Sequence, residues 1–242
     1  MIIIPARLNS TRYPKKMLDL LDDVPLIVKT AQNAALANVA PVVVACDDEL
    51  ILKACKDHKI DAIMTSKEHQ SGTDRCAEAA RILGLDLNDV VLNIQGDEPF
   101  LEKSVIQKLF HITKKCDFMS SLAKEISAKE PECNNPNVVK LVLNTNDEAI
   151  YFSRSQIPFV RDNDKNIKYL CHLGVYGFKN KTLQEFTKLS KSPIEDLEKL
   201  EQLRAIYHAK KINIAVVETN TFGIDTKEDM LKARNLVAKN FR

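Results

Sequence analysis

Four cations crowd the segment Pro5-Ala-Arg-Leu-Asn-Ser-Thr-Arg-Tyr-Pro-Lys-Lys16: Arg7, Arg12, Lys15 and Lys16. Hydroxyl and amide donors lie between them, and the apolar run Met1-Ile-Ile-Ile-Pro5 comes directly before. Guanidinium and ammonium groups gathered in one loop can neutralise a polyphosphate. The bland alternative is a solvated surface loop. Neither G-x-x-x-x-G-K-[ST] nor G-x-G-x-x-G is present, which disfavours a Walker loop and a nicotinamide dehydrogenase. The second chemical segment is Gln95-Gly96-Asp97-Glu98-Pro99, after the apolar run Val90–Ile94. A carboxylate there suits a hard divalent cation, which takes one or two protein carboxylates together with phosphate oxygens and water. Asp97 is the better candidate ligand, because Glu98 equally fits a helix N-terminus. The third is Phe222-Gly-Ile-Asp225-Thr-Lys-Glu-Asp229. Asp225 is either a second carboxylate for the same cation or a helix cap, and Thr226 to Asp229 reads as a capping box. Spacing alone does not choose between them.

Two further segments offer groups for a base or a sugar. His69-Gln-Ser-Gly-Thr-Asp-Arg75 is a polar turn feeding a helix, with Ser71 or Thr73 as N-cap. His172-Leu-Gly-Val-Tyr-Gly177 and Glu201-Gln202 bring an imidazole, a phenol, a carboxylate and an amide, although a lone histidine is more often a core or surface side chain than a site residue. The six cysteines contain no C-x-x-C pair and sit among apolar neighbours, so they read as buried hydrophobes. Only six glycines occur. Gly84 reads as a helix C-cap, and the other five are expected where the backbone needs positive φ or a ligand comes close.

The elements that must position these groups alternate. Apolar runs at Met1–Pro5, Val42–Cys46, Ala62–Met64 and Val90–Ile94 predict buried strands. Helical spacing covers 24–36, 48–58, 73–83 and 104–113, with Pro25 suited to a first turn. Such alternation predicts an α/β fold: a mostly parallel sheet covered by helices on both faces. Ligands of such sheets bind at the carboxyl ends of the strands, where the polar loops after these four strands open. The second half reads as strands at 118–123, 138–143, 171–178 and 212–217, and as helices at 183–189, 198–210 and 226–237. With no repeat or linker, one domain spanning 1–242 is expected, carrying an antiparallel insertion at about 125–175.

Composition narrows the classes. The 242 residues are 45% apolar and 28% charged, as in soluble globular chains. Thirty-five basic against 33 acidic residues give a net charge of +2, too balanced for a nucleic-acid binder. No apolar run reaches the roughly 20 residues of a membrane span. Cytosol is the expected compartment.

Together the segments resemble the 3-deoxy-manno-octulosonate (Kdo) cytidylyltransferase family, also called CMP-Kdo synthetases. The residues that carry the resemblance are Ile3-Ile-Pro-Ala-Arg7, Ser10-Thr-Arg12, Lys16, His69 to Arg75 and Gln95 to Pro99. Asn135-Pro-Asn-Val-Val-Lys140, Tyr151-Phe-Ser-Arg154, His172 to Gly177, Glu201-Gln-Leu-Arg204 and Gly223-Ile-Asp-Thr226 continue it in family order. The resemblance implies a glycosyltransferase-A-like nucleotidyltransferase that joins CTP and Kdo into CMP-Kdo with release of pyrophosphate. It implies magnesium, a cytosolic homodimer and a product used for lipopolysaccharide. It also implies residue roles. Arg7, Arg12 and Lys16 face the CTP phosphates; Ser71, Gly72, Thr73, Arg75 and Gln95 belong to the nucleotide pocket. Asp97 and Asp225 bind the metal, and Arg154, His172, Tyr176, Glu201 and Gln202 face the sugar. Arg7, Lys16 and Asp97 form its catalytic set. Two departures stand out. The family's R-x-P-G-K-P is Arg12-Tyr-Pro-Lys-Lys-Met17 here, and Leu170 replaces an arginine ahead of the histidine. If the lost glycine requires positive φ, the loop is expected to be reshaped.

Overall fold

The computed structural model describes residues 1–9, 13–162 and 166–240. Ile2–Ala6 (β1) is buried along its whole length and pairs in parallel with Val42–Cys46 (β4) on one side and Val90–Asn93 (β6) on the other. Between β1 and β4 lie a two-stranded hairpin, Leu20–Leu21 (β2) with Val24–Pro25 (β3), and the helix Leu26–Ala35 (α1). Pro25 thus ends a strand and stands at the N-cap of α1 instead of inside its first turn. Beyond β4 come Glu49–Asp57 (α2), Ala62–Met64 (β5), which pairs in parallel with β4, and Gly72–Ile82 (α3).

Past β6 the chain runs through Lys103–Lys115 (α4), Met119–Ser127 (β7), Lys140–Leu143 (β8), Ala149–Ser153 (β9) and Lys168–Lys179 (β10). Asn180–Phe186 (α5), Pro193–Glu198 (α6), Leu203–Tyr207 (α7), Ile212–Val216 (β11) and Lys227–Asn240 (α8) complete it. The main sheet has the order β11-β7-β10-β6-β1-β4-β5. β10 runs antiparallel to both β6 and β7, whereas β11 is parallel to β7. The small antiparallel part is β8 with β9, attached through β8 to β10. β9 was not expected; Ala149–Ser153 follows the turn Asn144–Asp147 as the second arm of a hairpin.

Side-chain alternation along β1 builds two cores. Ile2 and Ile4 pack with α1, α2 and α4, while Ile3 faces the opposite layer with Cys76 and Ala80 of α3. This two-sided burial is what a continuous run of β-branched residues requires. All six cysteines are free and buried, and burial pushes the thiols of Cys46 and Cys171 up to about 11.

One expected helix, 198–210, is broken. Ser192 caps α6 reciprocally with Glu195, and Lys199 ends it at φ 53°. α7 then starts only at Leu203. The break places Glu201 and Gln202 on a turn between two short helices. The buried ion pair of Arg204 Nη2 with Glu195 Oε1, 2.6 Å, ties the helices together. The glycine expectation also changes. Only Gly84 has positive φ, whereas Lys15, Asp22, Asp23, Asn38, Lys59, Asp147, Lys199 and Ala209 take the left-handed conformation as non-glycines.

Candidate active site

Residues after β1, β5 and β6 and before α8 line a cavity of about 250 Å³ at the carboxyl edge of the sheet. It collects Arg7, Lys16, Ser71, Gly72, Arg75, Gln95, Asp97 and Asp225. Arg12 lies outside the described residues. Arg7 is exposed, as is Lys15. Lys16 is 4% exposed, so the two adjacent lysines have different surroundings. Lys15 sits at φ 58°, ψ 19°, the left-handed conformation that a glycine adopts without strain. The lysine itself takes the left-handed backbone, and Lys16 turns inward. Lys15→Gly is expected to stabilise the fold by about 0.5–1 kcal/mol, since left-handed relief of roughly 1–2 exceeds the extra chain entropy of glycine. Urea midpoints of the two proteins measure it.

The ammonium of Lys16 donates to Asp97 Oδ2 at 2.6 Å and lies 3.5 Å from Asp225 Oδ1. Two glycines lie at this meeting. A Cβ on Gly96 would come within 2.9 Å of Met17 Sδ and 3.0 Å of Ile27 Cδ1, so the Gln95–Asp97 turn lies close against the Lys16 loop and a larger residue would have to displace those side-chain ends. A Cβ on Gly223 would meet Glu98 Oε1 at 3.0 Å. There the Ile224 amide donates to Asp97 O at 2.9 Å and lays the 222–225 segment beside Asp97. The helix-cap alternative for Asp225 is also answered. Thr226 Oγ1 accepts from the Asp229 amide at 3.2 Å, and Asp229 Oδ2 accepts from the Thr226 and Asp225 amides at 3.0 and 3.1 Å. Thr226 and Asp229 cap α8, which leaves the Asp225 carboxylate directed at Lys16. Glu98 does not serve a helix N-terminus, because α4 begins only at Lys103 with Glu102 at its N-cap. Its carboxyl accepts from Thr221 Oγ1, and burial, followed by the Asp97 charge, pushes its pKa up to about 8.

The third wall is the segment 65–72. Ser71, not Thr73, caps α3, its hydroxyl accepting from the Asp74 amide. Glu78 Oε2 accepts from the Ser66 amide at 2.7 Å and pairs with His69 Nε2 at 2.6 Å, which holds the turn against α3. Arg75 borders the cavity but is 3% exposed. Its guanidinium donates to Thr65 Oγ1, Ser66 O and Asp47 Oδ2. Asp47 in turn accepts from the Leu8 amide at 2.9 Å and so fixes the chain next to Arg7. Thr73 faces away from the cavity. It donates to Glu201 Oε1 at 2.6 Å and accepts from Asn93 Nδ2 at 3.1 Å, and Asn93 accepts from Gln95 Nε2 at 3.2 Å. This chain joins the cavity to a second polar cluster.

That cluster contains four of the five residues expected on the sugar side. Tyr176 O–H donates to Gln202 Oε1 at 3.1 Å, and Gln202 Nε2 lies 3.4 Å from His172 Nδ1. Phe152 meets the His172 ring edge-on at 5.0 Å. Burial drives His172 down to about 3 and raises the carboxyl pKa of Glu201. Glu201 Oε2 is a buried oxygen without a hydrogen-bond partner. Arg154 is not brought into this cluster. Its guanidinium donates to the carbonyls of Pro136, Glu198 and Lys199, the last two at the end of α6. Sequence reasoning missed Asp47, Glu78, Asn93 and Ser121, each of which acts by holding another residue. Lys140 is likewise a buried support, fully enclosed and donating to the carbonyls of Asn135, Val138 and Arg154.

The described residues contain no group of three or more His, Cys, Asp or Glu side chains arranged for a metal. Two carboxylates converging on one ammonium nevertheless suit a cation that draws its remaining ligands from phosphate and water. Comparison with known proteins identifies the family. The pattern of the family described as "Cytidylyltransferase" matches residues 1–212. The 3-deoxy-manno-octulosonate cytidylyltransferase of Helicobacter pylori is 51% identical over 243 residues, covering 99% of this chain and 98% of the relative. That of a Nitratiruptor species is 48% identical, covering 96% and 97%. A solved structure of CMP:2-keto-3-deoxy-manno-octonic acid synthetase complexed with CTP superposes with a TM-score of 0.90 at 36% identity, covering 99% of this chain and 98% of that one. Full-length likeness to these relatives extends past residue 212 to the segment that brings Asp225 beside Lys16. The chain belongs to the cytidylyltransferase family, among the 3-deoxy-manno-octulosonate cytidylyltransferases.

Proposed function

We propose that the chain activates Kdo by the reaction CTP + 3-deoxy-D-manno-octulosonate → CMP-Kdo + diphosphate. The observation that carries this reading is the meeting of Lys16, Asp97 and Asp225 in the strand-end cavity of a chain that belongs to this family. The sugar's anomeric hydroxyl attacks the α-phosphorus in line, and pyrophosphate leaves. Arg7 and Lys16 offset the charge of the triphosphate as it shifts toward the leaving group. Asp97 and Asp225 would hold magnesium, which when bound supplies neutralisation of phosphate oxygens and acidifies a coordinated hydroxyl. Ser71, Gly72 and Gln95 shape the nucleotide side of the cavity, with Arg75 bracing that wall through Asp47. His172, Tyr176, Glu201 and Gln202 form the sugar side. There Thr73 holds the Glu201 carboxylate through Oε1, at 2.6 Å. Bringing both substrates into one fixed geometry provides much of the rate.

Three broader readings accompany this proposal. A cytoplasmic location is supported by the free cysteines. Among the described residues no helix is long and apolar enough to cross a membrane. A homodimer formed through the 125–175 insertion of a single domain is supported by Phe159 and Ile150, 85% and 53% exposed beside an edge strand. The product would feed lipopolysaccharide synthesis. The test is pyrophosphate release with CTP and a panel of acidic sugars. Turnover is expected with Kdo and little with N-acetylneuraminate; equal or greater turnover with N-acetylneuraminate overturns the substrate.

A further inference from the structure

β10 carries an irregularity between Leu173 and Tyr176, where its register against β7 shifts. Ser121 of β7 lies opposite this bulge and is fully buried. Its hydroxyl is 2.6 Å from Val175 O, 3.2 Å from Leu173 O and 2.8 Å from His172 Nε2. A serine has one hydrogen to give, and a carbonyl has none. Two carbonyls therefore claim the Ser121 proton, and toward His172 the hydroxyl can only accept. The ring hydrogen must then sit on Nε2. A neutral imidazole carries one hydrogen, so Nδ1 is an acceptor. The group facing Nδ1 at 3.4 Å must be the NH2 end of Gln202. That turns the Gln202 carbonyl toward Tyr176, whose hydroxyl donates across 3.1 Å. Each direction in the chain is fixed by the one before it, and the bulge fixes the first. The edge of Phe152 against the ring keeps the imidazole in this plane.

We propose that Ser121 is a positioning residue that sets the hydrogen-bond polarity of the sugar side. It holds His172 as the Nε2–H tautomer and thereby leaves the Tyr176 oxygen only lone pairs to offer a ligand. An oxygen with only lone pairs to offer selects a substrate presenting a hydroxyl hydrogen. The functional half of the inference rests on reading this cluster as the sugar side; the tautomer half does not.

The direct test is long-range proton–nitrogen correlation on the imidazoles of the nitrogen-15-labelled full chain. There are five histidines, and the His172 signals are identified by their loss in His172→Gln. The unaltered protein is expected to show His172 protonated on Nε2 and unchanged between about pH 5 and 8. Protonation on Nδ1, or titration in that window, overturns the proposal whether or not any Ser121 variant folds. In Ser121→Ala the Nδ1–H form is expected to appear, with the KM for Kdo rising about tenfold and that for CTP moving less than about twofold, as suits one lost hydrogen bond. A changed tautomer with an unchanged KM for Kdo overturns the positioning role. Absence of any Kdo turnover by the unaltered protein, with the expected tautomer present, overturns the sugar reading and supports the control of polarity by Ser121.

Discussion

Lys16→Ala is expected to lower kcat/KM for CTP by at least about a hundredfold, the scale of one lost transition-state charge contact, while Lys15→Ala costs less than about tenfold. The asymmetry comes from burial. Lys16 is 4% exposed with its ammonium against Asp97 and Asp225, whereas Lys15 is exposed at the outside of the same turn. A point charge on a flexible stem can be replaced by a neighbour when both are solvated. Here the left-handed backbone at Lys15 sends the two side chains to different places. Removing Lys16 also takes a positive charge from beside Asp97 and Asp225. The residual activity is therefore expected to need less magnesium for its half-maximal rate, the opposite of what losing a metal ligand does. Kinetic constants for CTP and magnesium titrations of both single variants and the double variant decide it. A worse effect at Lys15 would move the phosphate contact one residue along the loop. Thermal melting of each variant guards against misreading a folding loss, because breaking a buried pair costs about 3–5 kcal/mol.

The same contrast shows what was legible before the structure. The strands β1, β4 and β6 stand out because burial on both faces demands an unbroken β-branched run, and their position as neighbours follows from the parallel α/β rule. The chemical loops could then be placed at one edge without coordinates. Two things could not. The first is backbone strain carried by ordinary residues: nothing in Lys15 or Lys199 announces positive φ, so the loop appeared to need reshaping and the Glu201–Gln202 turn looked like continuous helix. The second is indirect support. Asp47, Ser121 and Lys140 act through backbone atoms, those of Asp47 and Ser121 in distant segments, and a bond to a carbonyl or amide leaves no pattern in residue types. The Tyr151-Phe-Ser-Arg154 motif likewise leaves unread that the Arg154 guanidinium donates to carbonyls at the end of α6.

Asp97→Asn and Asp225→Asn are each expected to lower turnover by at least about a hundredfold and to raise the magnesium requirement. An asparagine keeps the shape and one oxygen but removes the charge, so the effect isolates electrostatics from packing. The two variants should also separate on stability. Asp97 is the nearer partner of Lys16, at 2.6 Å against 3.5 Å, and its side chain is the more buried, 23% exposed against 47%. Asp97→Asn is therefore expected to cost more of the melting temperature. Asp225→Asn is expected to cost less of it, because Thr226 and Asp229 cap α8 and the Ile224 amide docks on Asp97 O in either case. Near-normal activity of either variant at low magnesium removes that residue from the metal site. If Asp225→Asn instead melts early while its response to magnesium is unchanged, the carboxylate serves the helix and not the reaction. In that case Asp97 would remain the protein carboxylate assigned to the cation, which would depend on the triphosphate for its other anionic ligands.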